Sequence, residues 1–283
     1  MNQPWTLCAF ADEADAAVTG QIAALQRNGI THLEVRGVDG KNITALTAAE
    51  ARELHRRLED AGLQVWSIGS PLGKIRLDED FEAHLELLHH TLELGDILGA
   101  QALRLFSFYL PEGADPDACY PQVEEQLGRM LEAAKDSPLT LCHENEKGIY
   151  GSTAAHCARL HRAFPALRAV FDPANFIQCQ QPTLPAWQLL APYVCYFHVK
   201  DALTDGSVVP AGCGEGCLPQ LLAAYRAQGG SVLTLEPHLT VFDGLQALER
   251  PGEASVIGRY AYPDSNAAFD AAANALQALL QAL

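Results

Sequence analysis

Four short apolar runs in the second half of the chain each stop on a residue that can bind a metal ion. They are Leu139-Thr-Leu-Cys-His-Glu144, Ala169-Val-Phe-Asp172, Cys195-Tyr-Phe-His198 and Leu233-Thr-Leu-Glu236. Runs of this length, rich in branched and aromatic residues, read as buried strands. Their end residues lie 28, 26 and 38 positions apart. One βα unit takes roughly 31 residues when ~250 are shared among eight. Parallel strands joined by helical crossovers start and finish at the same two edges of a sheet, so their ends gather on one side. Closing such a sheet into a ring brings those ends around one mouth, where the chemistry of barrel folds sits.

The rest of the chain supports that ring. Trp5–Phe10 reads as a first strand, followed by a helix from Asp12 to about Asn28 that Gly29 stops. His32–Arg36 is a second strand. Thr47–Ala61 is a helix with Thr47 as N-cap, Glu50 completing a capping box and Gly62 beyond its end. Leu63–Ile68 gives strand three and Glu79–Leu98 a long helix, with Phe81, Leu85, Leu88 and Leu92 at helical spacing. Ala102–Phe108, Leu139–Glu144, Leu167–Phe171, Val194–Val199 and Ser231–Leu235 continue the strand series. Helices are expected at Asp117–Lys135, Thr153–Phe164, Leu184–Leu190, Leu218–Gln228 and Asn266–Leu283. Eight alternations without a linker predict an α/β fold, a single (β/α)8 barrel over residues 1–283. An open dinucleotide-type sheet would want a Gly-x-Gly-x-x-Gly turn after the first strand; Ala9-Phe-Ala-Asp-Glu stands there instead.

Charge narrows the partners. With 19 basic and 35 acidic residues the formal net charge is -16, a field that repels phosphodiester backbones and argues against nucleic acid. The N-terminal residues lack a charged-then-apolar signal pattern. No run approaches the ~18 apolar residues of a membrane span, so a cytoplasmic protein without a membrane partner is expected. The eight cysteines are dispersed through a chain too long to need stapling. Cys213-Gly-Glu-Gly-Cys217 is the one close pair and lacks a second pair to complete a zinc site, which leaves a glycine-rich loop with two free thiols.

Two glutamates, one aspartate and one histidine make an oxygen-rich set with a single imidazole. That mix suits a hard or borderline divalent ion such as Mn²⁺, Mg²⁺ or Co²⁺ better than a thiolate-rich zinc centre. Side chains two apart on a strand share a face, so His143, one before Glu144, reads as a residue packed against the helices, with a ligand role as the alternative. Lys200 shares the face of His198 one step higher and reads as a substrate contact, with a salt bridge to a site carboxylate as the alternative. His238 stands in the same relation to Glu236, meeting substrate or orienting the glutamate. Glu34 and Arg36 share a face at the end of strand two and read as pocket floor or wall, or as an internal ion pair with Arg104. Lys74 and Lys147 lie in loops without a phosphate-cradling motif. Trp66, Phe106, Phe108 and Tyr109 are near strand ends, where one or two would suit a sugar face.

The elements His143-Glu144-Asn145, Phe171-Asp172-Pro-Ala-Asn175, Phe197-His198-Val-Lys-Asp201 and Leu235-Glu236-Pro-His238 resemble the metal site of the xylose isomerase-like barrel superfamily. They are most similar to its sugar phosphate isomerase/epimerase group, which includes ketose 3-epimerases and inosose isomerases. The resemblance implies that Glu144, Asp172, His198 and Glu236 ligate one divalent ion, Mn²⁺ first, with Mg²⁺, Co²⁺ or Zn²⁺ as alternatives. It also implies that Glu144 and Glu236 double as acid–base groups and that the partner is a small carbohydrate. The reaction would be proton abstraction next to a carbonyl, through an enediolate. Many ketose epimerases of this group carry a histidine three residues after the aspartate, in contact with substrate; Asn175 holds that place here. A lyase or dehydratase using the same enolate is the near rival. An abasic-site endonuclease of the same barrel type would need several zinc-binding histidines, and only His198 and His238 are well placed. A barrel that merely binds ligand would be signalled by loss of a glutamate, and both are present. A homo-oligomer is compatible with the sequence.

Overall fold

A computed structural model describes residues 4–242, 256–257 and 259–283. Its centre is a closed barrel of eight parallel strands. They are β1 (Thr6–Ala9), β2 (His32–Val35), β3 (Gln64–Gly69), β4 (Ala102–Leu105), β5 (Thr140–Glu144), β6 (Arg168–Phe171), β7 (Val194–Val199) and β8 (Val232–Leu235). Each strand pairs with its successor in sequence, and β8 closes on β1 with Thr6 opposite Val232 and Ala9 opposite Leu235. Register slips by one residue at Leu33/Glu34 between β2 and β3, and at Ala169/Val170 between β6 and β7.

The period of two sorts the barrel interior into layers. Cys8, Ala102, Cys142, Val170, Tyr196 and Val232 fill the lower interior as one apolar plug. Two residues further along their strands stand Arg104, Glu144, Asp172, His198 and Thr234, all buried. The step from plug to polar layer is thus the distance between i and i+2 on a strand, about 6.6 Å. The alternate residues, including Leu33, Leu103, Leu105, Leu141, Ala169, Phe171, Phe197, Leu233 and Leu235, face outward into the layer shared with the helices.

Those helices are α1 (Val18–Arg27), α2 (Ala48–Asp60), α3 (Phe81–Ile97), α4 (Pro116–Ala133), α5 (Ala154–Ala163), α6 (Pro173–Gln178), α7 (Thr183–Leu190), α8 (Leu218–Ala227) and α9 (Ser265–Gln281). The capping box of α2 forms as expected: Thr47 Oγ1 accepts the Glu50 N–H and the Glu50 carboxylate accepts the Thr47 N–H. Asp80, Asp115 and Thr153 cap α3, α4 and α5. No helix among the described residues is long and apolar enough to cross a membrane.

Three expectations change. Asp12 and Glu13 do not start a helix; they sit buried in a single 3-10 turn (Ala11–Glu13), and α1 begins at Val18. Strand four ends at Leu105; beyond it the N–H groups of Phe106 and Phe108 donate to the carbonyls of Leu72 and Gly73 in the loop after β3, and Phe108 takes a left-handed φ of 66°. Asp172 caps a short extra helix, α6, with Pro173 at its first position.

Candidate metal centre

Glu144 ends β5, Asp172 follows β6, His198 lies near the end of β7 and Glu236 follows β8. All four are buried, and one ligand atom from each lies within 4.8 Å of all the others. The four sequence-predicted ligands therefore come together at the C-terminal mouth.

Each carboxylate splits its two oxygens between the surrounding fold and the shared volume. Glu144 Oε2 accepts from Arg104 Nη1 at 3.1 Å, while Oε1 faces His198 Nδ1 and Asn175 Nδ2, both at 3.1 Å. Glu236 Oε1 faces Arg36 Nη1 at 3.4 Å, while Oε2 meets Lys200 Nζ at 2.9 Å. Asp172 Oδ1 accepts the Asn175 N–H at 3.0 Å as helix cap, and Oδ2 is buried without a hydrogen bond. A buried carboxylate oxygen without a hydrogen bond, met only by the Lys200 ammonium at 2.9 Å, in a cluster of three acids and one imidazole is what a divalent ion would satisfy. The residues present therefore fit such an ion.

Electrostatics agree. Burial pushes the Asp172 carboxyl up to about 7; Lys200 opposes this, and Glu236 and Glu144 add to it. For Glu236 burial also pulls upward, but Lys200, His238 and His198 outweigh it and hold the group well below the usual range. Burial disfavours the charged forms of His198 and Lys200, yet the carboxylates around them raise both well above their ordinary values. Without an ion, the imidazolium and the ammonium neutralise the acids.

The remaining predicted contacts fall into two groups. Arg36, Asn175, Lys200 and His238 line a small cavity at the mouth with Lys74, Arg104, Phe106, Glu146 and Lys147. Asn175 Nδ2 bridges Glu144 Oε1 and the Asn145 carbonyl. The ammonium of Lys200 lies on Asp172 and Glu236, the salt-bridge alternative of the sequence reading. His238 Nδ1 is 3.2 Å from Glu13 and 3.6 Å from Glu236, so the ring faces the glutamates. Glu34 is fully buried beneath the four-residue cluster, at the floor position of the sequence reading. Its Oε2 accepts from Thr234 and faces His198 Nε2 at 3.0 Å, and its Oε1 accepts from Tyr196. His143 packs outward as expected, with Nε2 2.9 Å from Ser107 Oγ.

Among the aromatic candidates, Phe106 reaches the mouth, with Lys74 4.5 Å and Arg104 4.9 Å from its ring centroid. Phe108 is core, and half-buried Trp66 packs against the apolar plug. The Cys213–Cys217 loop holds free thiols. Its role is structural: the N–H groups of Gly212, Gly214 and Gly216 all donate to the Asp201 carboxylate. A Cβ on Gly214 would stand 2.3 Å from Asp201 Oδ1, so only glycine fits.

Sequence reasoning passed over Phe10, Asp12 and Glu13. Arg36 is clamped by Asp12 at 2.9 Å and Glu13 at 3.0 Å and lies over the Phe10 ring at 4.3 Å. The signal was available, since Asp12 and Glu13 follow the first apolar run just as Glu144 ends the fifth.

Comparison with known proteins agrees with the barrel. The family described as xylose isomerase-like TIM barrel matches residues 22–250. No curated protein matches the chain. Among solved structures, the IOLI protein with a bound zinc atom superposes with TM-score 0.74 at 13% identity, covering 98% of both chains. D-psicose 3-epimerase in the presence of D-fructose gives 0.73 at 16%, over 96% of this chain and 97% of that one. The probable 3-DHS dehydratase AsbF from Bacillus anthracis gives 0.73 at 15%, over 97% and 99%. At these identities the likeness speaks for the fold.

Proposed function

The chain belongs to the xylose isomerase-like TIM barrel family, and we propose that it is a divalent-metal-dependent isomerase or epimerase of a sugar or sugar phosphate. The observation that carries this reading is the convergence of four buried ligand atoms, within 4.8 Å of one another, at the mouth of the barrel. Glu144, Asp172, His198 and Glu236 would hold the ion, Mn²⁺ by preference. When bound, it would supply a Lewis acid for adjacent carbonyl and hydroxyl oxygens and countercharge for an enediolate.

The chain's own residues would do the rest. Arg104 and Arg36 each hold one oxygen of a glutamate. That leaves Glu144 Oε1 and Glu236 Oε2 facing the shared volume, and there we place ligation and proton transfer. The two glutamates stand three strands apart in a ring of eight and so flank a substrate from different sides. One accepts the proton beside the carbonyl and the other returns one to the opposite face, which is epimerisation. A single glutamate carrying the proton to the neighbouring carbon would give aldose–ketose isomerisation. Arg36, Asn175, Lys200 and His238 would orient the substrate hydroxyls, and burial of the cluster keeps bulk water from the carbanion.

Loss of a leaving group from the same carbanion would make the protein a lyase or dehydratase, a reading that the likeness to a probable 3-DHS dehydratase supports. Incubation with a panel of ketoses and keto-cyclitols, with Mn²⁺ in D₂O, separates the outcomes. Two-base epimerisation places solvent deuterium on the inverted carbon. A product epimer free of deuterium rules out two-base transfer, and release of water moves the protein to the lyase reading.

A further inference from the structure

The four-residue cluster already contains a cation, and it belongs to the chain. Lys200 follows His198 by two residues on the same face, and its side chain is 6% exposed. Its Nζ lies 2.9 Å from Asp172 Oδ2 and 2.9 Å from Glu236 Oε2. These are the oxygens a metal ion would need. Asp172 Oδ1 is committed to capping α6, and Glu236 Oε1 is turned toward Arg36. Glu236 Oε2 also faces His198 Nδ1 at 3.5 Å, so it points into the shared volume. The contact with Asp172 is a charge contact only, because Oδ2 makes no hydrogen bond there.

A divalent ion at ordinary ligand distances of ~2.0–2.3 Å would bring two positive charges against the ammonium in a buried site. Both cations cannot hold the same two oxygens. The flexible four-carbon stem of a lysine can carry its charge elsewhere, and the mouth cavity that Lys200 lines also contains Glu146.

We propose that Lys200 is a tethered stand-in for the ion: its ammonium neutralises Asp172 and Glu236 in the metal-free protein, is displaced when a divalent ion enters, and is thereby released into the mouth. This rests on the metal-site reading above. Affinity for the ion is then a competition between two cations, with Lys200 lowering it. A lysine that merely ties the ends of β6 and β8 together would have the opposite effect, because its loss would loosen the ligand set.

The test is calorimetric titration of Mn²⁺ into chelated full-length protein, comparing wild type, Lys200→Met, Lys200→Gln and a Asp172→Asn control. Both lysine variants should bind Mn²⁺ at least tenfold more tightly than wild type. Their metal-free forms should melt lower than wild type, with the gap closing at saturating Mn²⁺. Unchanged or weaker binding by the lysine variants, with wild type binding and Asp172→Asn not, would overturn the competition and leave the metal site standing. Failure of every variant and of wild type to bind would remove the metal site and this inference together. If neither lysine variant folds, the wild type decides: Lys200 acetylation by a small anhydride, read by mass spectrometry, should rise several-fold on Mn²⁺ addition. An unchanged extent would refute the displacement.

Discussion

Replacing Glu34 by glutamine should weaken metal binding about tenfold while leaving the fold intact. Glu34 is fully buried. Its Oε2 faces His198 Nε2 at 3.0 Å and accepts from Thr234 Oγ1 at 2.8 Å, and its Oε1 accepts from Tyr196 Oη at 2.9 Å. A glutamine amide can place its carbonyl on the His198–Thr234 side and its NH₂ toward Tyr196. The Tyr196 hydroxyl can then turn to donate to Ser67 Oγ, 3.1 Å away. Shape and hydrogen-bond number survive; the negative charge does not. A charge-assisted bond is worth ~1.5–3 kcal/mol and a neutral one ~0.5–1.5. The imidazole therefore loses about 1.4 kcal/mol of hold, or tenfold in affinity, within the range for outer partners of metal-binding histidines. That hold would matter by keeping the proton on Nε2 and so leaving Nδ1 for the proposed ion. Glu34→Ala should do worse, stranding His198 Nε2 and Thr234 Oγ1 at a cost of roughly 3 kcal/mol or more in stability. Titration of Mn²⁺ into chelated protein, with urea unfolding alongside, should rank wild type above Glu34→Gln above Glu34→Ala. Wild-type affinity in a folded Glu34→Gln protein would refute the claim that this carboxylate orients His198.

Other outcomes follow from the same geometry. Mn²⁺ or Co²⁺ at a hundred times its dissociation constant should add ~2.7 kcal/mol of stability and raise the melting temperature of chelated protein by on the order of 5 °C; a flat melting temperature over that range would count against the site. Buried His84 accepts the Gly73 N–H on Nε2, and burial pushes its pKa down to about 4. With ~6.5 in the unfolded chain, its contribution is complete above that pH and is lost as pH falls toward 4, by about 1.4 kcal/mol per pH unit. His84→Gln should flatten that part of a urea-midpoint profile between pH 7 and 4.5. Asp201→Asn would turn its amide NH₂ toward one pair of backbone donors, residues 202 and 216 or residues 212 and 214, costing roughly 2 kcal/mol in urea unfolding.

The sequence disclosed the parts of the site that obey a period. Strand-end residues repeat once per βα unit, so Glu144, Asp172, His198 and Glu236 could be counted off before any coordinates. The barrel followed from the same repetition. Elements that break the period were harder to read. Strand four stops three residues before the expected Phe108, which takes a left-handed φ that no glycine announces. Asp12 and Glu13 carry the acidic signature of a helix start, yet their partner Arg36 is 24 and 23 positions away. Pairing of β1 with β2 brings them together. The place of Glu34 was ambiguous for a related reason: strand alternation puts it on the interior face but does not fix its height. One step below Arg36, it meets the underside of His198 instead of the mouth.

Closure of the ring and assembly of the site share residues. The seam between β1 and β8 has only four paired positions. Above it, Glu13 from the first βα loop accepts the backbone N–H of His238 from the last, 225 residues away. Arg36 joins both sides by reaching Asp12, Glu13 and Glu236. A guanidinium with five donors in a fixed plane can hold three carboxylates from two loops at once, where an ammonium offers a point charge without that geometry. Arg36→Lys should therefore behave as more than a conservative change. It keeps the charge but gives up the planar hold on Glu236, so Mn²⁺ affinity should fall, along with a loss of roughly 1–3 kcal/mol in stability. Separating the two readouts is the point: if stability drops and Mn²⁺ affinity does not, Arg36 seals the seam without aiming Glu236.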